Sequence, residues 1–172
     1  MSGRRKMQIF RKEHPKPQFV RENWENLNGE WDFEIDNSRS GIERGLYKAD
    51  TPLAGKINVP FCPESELSGI GYKDFMNSVW YRRKVELTKG EGRTLLHFEA
   101  CDYETTVWVN GVEFPVHIGG YTGFVYDITK AVVDGKTVCV GNLRLMESLG
   151  VMVKPWDVVG TVLHVAINGA YT

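Results

Sequence analysis

The segment Trp108-Val109-Asn110-Gly111-Val112 limits what this chain can fold into more than any other stretch. An alternating apolar strand runs into an Asn-Gly pair, and a second strand leads away from it. A tight two-residue hairpin needs positive φ at both central positions, and Asn-Gly tolerates that geometry well. Close by, His117-Ile118-Gly119-Gly120-Tyr121-Thr122 places two glycines where the backbone turns in a way that a Cβ would obstruct. Two such turns so near each other predict antiparallel β structure.

Period-two alternation recurs along the chain. Over 29–35, Trp31, Phe33 and Ile35 alternate with Asp32 and Glu34, the pattern of a half-buried strand. A turn follows at 37–41, and a short strand over 56–59 is stopped by Pro60 and Pro63. Residues 61–78 form a long loop, a feature often tied to function. Strands are predicted over 79–87, where Val79, Tyr81, Val85 and Leu87 share a face, and over 94–100, where Leu96, Phe98 and Ala100 do. The turn Gly90-Glu91-Gly92 joins them. Further strands are expected over 105–110, on the return to 116, and over 124–126 and 136–140. Asp127 is placed to cap a helical turn over 127–130.

The ends of the chain read differently. Pro15 and Pro17 exclude helix from an extended lead-in, 1–18, and one helical turn is predicted within 20–27. The tail is atypical from about 141. It is apolar on both faces over 158–167, and Asn168-Gly169 is a hairpin signal without a return strand. That is the pattern of a chain leading into a larger structure, or of an altered tail. Roughly nine short strands and almost no helix predict an all-β protein. The expected form is a single β-sandwich domain over 19–172 with two packed antiparallel sheets, anchored by five tryptophans.

Charge and composition exclude several functions. Basic and acidic residues number 21 and 22, for a net charge of −1, so no electrostatic footprint for nucleic acid is present. Arg4, Arg5, Lys6, Arg11, Lys12 and Lys16 read as a solvated terminal tail. No apolar core follows them as in a signal peptide, and no run approaches the ~20 apolar residues of a membrane span. Cys62, Cys101 and Cys139 are odd in number and scattered, which reads as reduced thiols in a cytoplasmic protein. Cys101 and Cys139 fit small buried hydrophobes.

The reactive side chains suggest no catalytic centre. His14, His97, His117 and His164 lack metal-ligand spacing, and His97 and His117 read as hydrogen-bonded structural residues. Ser65, Ser68 and Ser78 have no nucleophile-elbow context. Gly69-Ile70-Gly71 precedes no helix and reads as a turn, so neither a metal nor a cofactor is expected. Glu99, Asp102 and Glu104 lie close in sequence, but strand geometry supplies no opposing face to pair them across. They are expected to be solvated or hydrogen-bonded carboxylates at a strand end.

An ordered set of segments resembles the N-terminal domain of family 2 glycoside hydrolases, the group of β-galactosidases and β-glucuronidases. The set begins with Leu27-Asn28-Gly29-Glu30-Trp31-Asp32-Phe33, Val59-Pro60-Phe61, Val79-Trp80-Tyr81-Arg82-Arg83 and Leu96-His97-Phe98. It continues with Asp102-Tyr103-Glu104-Thr105-Thr106-Val107-Trp108-Val109-Asn110-Gly111, the Gly-Gly-Tyr-Thr segment and Asp127-Ile128-Thr129. The resemblance covers about residues 15–140. It departs at Gly123, where the family has proline, and after Val140, where the family's polar loop is not matched.

The resemblance implies a jelly-roll, galactose-binding-domain-like sandwich. In the family, this sugar-binding domain precedes an immunoglobulin-like domain and a catalytic TIM barrel, which would be its partners. The barrel carries the two glutamates of a retaining mechanism and needs ~250 residues, so the catalytic pair is expected elsewhere. Similar loops in the family approach the sugar, and residues 69–77 join aromatic faces to short polar groups as sugar recognition requires. Asp74 is the leading carbohydrate-binding candidate, followed by Asn77 and Tyr72. The leading expectation is therefore a noncatalytic sugar-binding domain of a β-glycosidase. The alternatives are a freestanding carbohydrate-binding module, or a structural or engineered scaffold that forms homo-oligomers through its exposed apolar surface.

Overall fold

The computed structural model describes residues 10–20, 22–87 and 92–132, together with the backbone of His164–Val165. The expected strand over 136–140, Cys139, the turn residues Gly90 and Glu91, and most of the tail lie outside the described residues. The described chain is all-β: β1 (Gly29–Ile35), β2 (Gly55–Val59), β3 (Val79–Arg82), β4 (Leu95–Phe98), β5 (Glu104–Val109), β6 (Val112–Glu113), β7 (His117–Ile118), β8 (Phe124–Asp127) and β9 (His164–Val165). One sheet has the order β2-β1-β3, a second pairs β4 with β8, and a third has the order β6-β5-β7. The pairings of β1 with β3, β4 with β8, and β5 with β6 and β7 are antiparallel, as a β-sandwich requires, while β9 lies parallel to β5.

Where expectation and structure differ, backbone chemistry accounts for two cases. The return strand after Gly111 is split into β6 and β7, with Pro115 between them; proline has no N–H to donate to a ladder. The helical turn expected within 20–27 forms earlier, as a 3-10 turn over Pro17–Phe19. Proline is excluded from helix interiors but suits a first turn, where its N–H would have no partner anyway. The Asn110-Gly111 hairpin forms as read, with φ of 51° and 79° and the register Val109↔Val112. Asp127 ends β8 and a turn follows in place of the expected helical turn over 127–130; its Oδ1 accepts from the Thr129 amide at 3.1 Å, and the Ala131 and Val132 amides donate to Ile128 O at 2.8 and 3.0 Å.

The chain divides into two compact units, Met1–Trp31 with Lys56–Lys73 and Asp32–Gly55 with Asp74–Thr172. In the first, Ile57 is buried and Trp31 donates its indole N–H to Leu27 O at 2.7 Å. Phe10 meets Phe61 edge-on with ring centroids 5.0 Å apart.

In the second unit the core gathers around two indoles. Trp80 and Trp108 stack at 5.8 Å, and Leu46 and Ala49 close the cluster, with Tyr47 and Leu53 against it. Val79, Val107 and Val109 are fully buried, each contributing about 1.5–3 kcal/mol by leaving water. Arg82 is also buried, its charge met by a carboxylate and two carbonyls. Its Nε lies 3.2 Å from Asp32 Oδ2, and its Nη1 donates to Lys48 O at 2.9 Å and to Thr51 O.

Candidate functional site

The segment 69–77 begins from a built turn in the first unit. Ser65 Oγ accepts from the Leu67 amide at 3.2 Å, starting the 3-10 turn Glu66–Ser68, and Gly69 ends it with φ of 83°. Ser68 Oγ donates to Ser65 O at 2.6 Å and accepts from the Ile70 amide at 3.0 Å. Ser65 and Ser68 therefore have structural duties in this turn. Tyr72 is half-buried in this unit, its amide donating to Pro63 O at 2.9 Å.

Asp74 and Asn77 belong to the second unit and have different surroundings. Asp74 is exposed, as is Phe75 beside it. Met76 is buried, so the chain turns inward just after the two exposed residues. Asn77 is bound to Asn37 by two bonds: its amide N–H donates to Asn37 Oδ1 at 3.1 Å, and its Nδ2 donates to Asn37 O at 2.8 Å. Ser78 continues the clamp, donating Oγ–H to Asp36 O at 2.9 Å and accepting from the Asp36 amide at 2.9 Å. Asp74 thus stands a few residues ahead of a fixed stem.

Asp36 organises that stem. Its side chain is 2% exposed. Oδ2 accepts from the Gly41 amide at 2.7 Å and from Trp80 Nε1 at 3.1 Å, and Oδ1 accepts from Ser38 Oγ at 3.0 Å and the Ser40 amide at 3.1 Å. Burial by itself raises the pKa of a carboxyl. Here the bonds from Trp80, Gly41, Ser40 and Ser38 outweigh it and hold Asp36 below its ordinary value. The sequence reading took 37–41 as a plain turn and missed this residue. An Asp-x-Ser-x-Ser spacing signals a side chain bonded to its own turn, but the bond from Trp80 is long-range and leaves no local trace.

The other candidates occupy separate places. Glu99 and Asp102 are exposed, whereas Glu104 is buried at the start of β5. His97 is exposed on β4. The His117 ring stacks on Phe124 at 4.0 Å, and its Nε2 lies 3.2 Å from Gly119 O, a structural role. The Cys101 thiol is buried, and burial pushes it up to about 12, leaving it protonated and inert; Cys62 is exposed. Among the described residues no group of three or more His, Cys, Asp or Glu gathers to hold a metal ion, and no helix is long and apolar enough to cross a membrane.

The family profile described as "Glycosyl hydrolases family 2, sugar binding domain" matches residues 24–163. The chain is 33% identical over 142 residues to the β-glucuronidase of Felis catus, covering 72% of this chain and 22% of that protein. It is 31% identical over 158 residues to the β-glucuronidase of Sus scrofa, covering 84% of this chain and 24% of that one. The β-glucuronidase of Lactobacillus rhamnosus superposes with a TM-score of 0.58 at 27% identity, over 67% of this chain and 20% of its own. The Ruminococcus gnavus β-glucuronidase bound to a C6-substituted uronic isofagomine gives 0.61 at 22% identity, over 70% and 21%, a likeness of fold. The chain thus spans 22% to 24% of the length of the curated relatives it matches first.

Proposed function

Since the chain belongs to the sugar-binding domain family of family 2 glycosyl hydrolases, we propose that it is the noncatalytic sugar-binding domain of a β-glucuronidase-like retaining glycosidase. It has the jelly-roll connectivity of that domain. Its work is to support a catalytic barrel and to form one wall of the sugar site. The paired carboxyl groups of a retaining mechanism, ~5–5.5 Å apart across the glycosidic bond, belong to that barrel. An immunoglobulin-like domain is the second neighbour.

In this reading Asp74 accepts hydrogen bonds from sugar hydroxyls, and Asn77 holds the segment in place through Asn37. The match to the family over 24–163 carries the reading, and the similar proteins named β-glucuronidases favour a uronide over a galactoside.

Two measurements test it. The 172-residue chain incubated with a chromogenic β-glucuronide is expected to give no turnover. Robust hydrolysis that survives repurification overturns the noncatalytic assignment. Fused to the barrel of a similar β-glucuronidase, the chain is expected to support hydrolysis, with Asp74→Ala lowering kcat/KM by about tenfold or more, equivalent to ~1.4 kcal/mol. An unchanged kcat/KM removes Asp74 from the site.

A further inference from the structure

Asn28, Asn110 and Asn168 each precede a glycine. Asn168 lies outside the described residues. An Asn-Gly pair can modify itself, because the glycine nitrogen is close along the chain to the side-chain amide carbon and no Cβ shields it. The surroundings of the two described pairs differ. Gly29 is buried at the start of β1, the middle strand of its sheet. Asn110-Gly111 sits instead at the tip of the β5–β6 hairpin. There β6 is two residues long, lies at the edge of its sheet, and is exposed together with Gly111. A methyl group placed on Gly111 would meet nothing within 4 Å beyond its chain neighbours. The Asn110 side chain is fixed on one side. Its Nδ2 donates to Ala131 O at 2.5 Å, whereas Oδ1 is buried with no hydrogen-bond partner among the described residues. The bond to Ala131 thus orients the amide, and it latches the hairpin tip to the turn after β8.

We propose that Asn110 is a site of spontaneous covalent modification, gated by opening of the hairpin tip. The Gly111 nitrogen attacks Asn110 Cγ and a C–N bond forms. The Cγ–Nδ2 bond breaks, and Nδ2 leaves as ammonia with the proton from the Gly111 amide. Water then opens the five-membered imide at either carbonyl, giving aspartate or isoaspartate at 110. No electrons are transferred. In the closed turn this ring closure is opposed twice. The ladder at Val109↔Val112 fixes the Asn110–Gly111 peptide, and the Ala131 bond fixes the side-chain amide. Attack needs one to rotate against the other. Detaching a two-residue edge strand takes less than unfolding the chain, so attack proceeds from the native state. Neither product restores the latch. Aspartate sets an anionic oxygen against Ala131 O, and its second oxygen takes the buried place that offers no donor. Isoaspartate lengthens the backbone of a turn whose register requires two residues. This chemistry is independent of the Asp74 segment and of any sugar.

The test is incubation of the whole chain at mildly alkaline pH, folded and in unfolding urea, with peptide mass mapping of positions 28 and 110. In urea the two asparagines are expected to convert at similar rates. In the folded chain Asn110 is expected to convert about tenfold or more slowly than in urea, and still about tenfold or more faster than Asn28. Urea below the unfolding midpoint should accelerate Asn110 first, and both aspartyl and isoaspartyl peptides should appear. An Asn110 rate equal in folded and unfolded chain overturns the gate. An Asn110 that stays intact until the unfolding midpoint, or that converts no faster than Asn28 in the folded chain, overturns the proposal. Asn110→Asp reproduces one product directly. Its melting temperature is expected to fall by about 2–4 °C or more, and an unchanged value overturns the loss of the latch.

Discussion

Gly41 lies directly against the indole of Trp80: a methyl group on its α-carbon would stand 2.1 Å from Nε1 and 2.3 Å from Cε2. The backbone of a surface turn thus forms part of the wall around the largest fully buried side chain. Gly41→Ala is expected to displace that indole from its stack on Trp108 and from its bond to Asp36. The cost is about 1–3 kcal/mol, the usual range for overpacking. In urea the unfolding midpoint should fall while the slope stays unchanged.

Asp36→Asn removes a charge and turns one acceptor into a donor. Both carboxylate oxygens receive N–H groups, so either orientation of the amide sets an NH2 against a donor. A loss of about 2–5 kcal/mol is expected from the donors left without acceptors. The pH dependence has a definite sign. The folded pKa is depressed, so the stabilisation is complete above the unfolded value near ~3.9 and drains away as pH falls through the folded value. Denaturant midpoints measured below about pH 4 should therefore decline less steeply in Asp36→Asn than in the parent chain.

Asp74 and Asn77 are separable by stability alone. Asp74 is exposed, and Asp74→Asn should change stability by no more than about 0.5 kcal/mol. Asn77→Ala loses the Nδ2 bond to Asn37 O and should cost about 1 kcal/mol. Thermal denaturation of the two variants side by side decides this. A large effect from Asp74→Asn would assign that residue a structural role.

Gly111→Val tests the hairpin. Gly111 holds φ of 79°, and a β-branched residue forced there is expected to cost about 1–2 kcal/mol. A melting temperature equal to the parent's would mean that the turn relaxes into another type.

Thiol reactivity offers a check that needs no variant. Iodoacetamide at neutral pH should alkylate exposed Cys62 rapidly and leave buried Cys101 unmodified until the chain unfolds. Peptide mass mapping before and after denaturant reads both outcomes.

Local chemistry was legible in the sequence and long-range pairing was not. Strand β1 was read to its full length, because Trp31 and Phe33 alternate with polar neighbours and that period survives folding. The Asn110-Gly111 hairpin was legible for the same reason, since its geometry depends on two adjacent residues. Nothing near Arg82 in the sequence signals that it is buried. The carbonyls of Lys48 and Thr51 and the carboxylate of Asp32 that make this feasible come from distant parts of the chain. β5 is buried along its whole length, so its polar threonines do not mark an outer face. At the candidate site, the exposure of Asp74 followed from its loop. The bonds that tie Asn77 to Asn37 cross 40 positions and could not be read from either segment.

The carboxylate of Asp36 receives bonds from Ser38, Ser40 and Gly41 and from the ring of Trp80, so loosening of that stretch and withdrawal of the indole are one event. Hydrogen exchange at the Ser40 and Gly41 amides should then run at the pace of the sheet, although a run of serines, arginine and glycine would ordinarily fray like any rim. A protease seeking an easy nick there would have to wait for the interior to open.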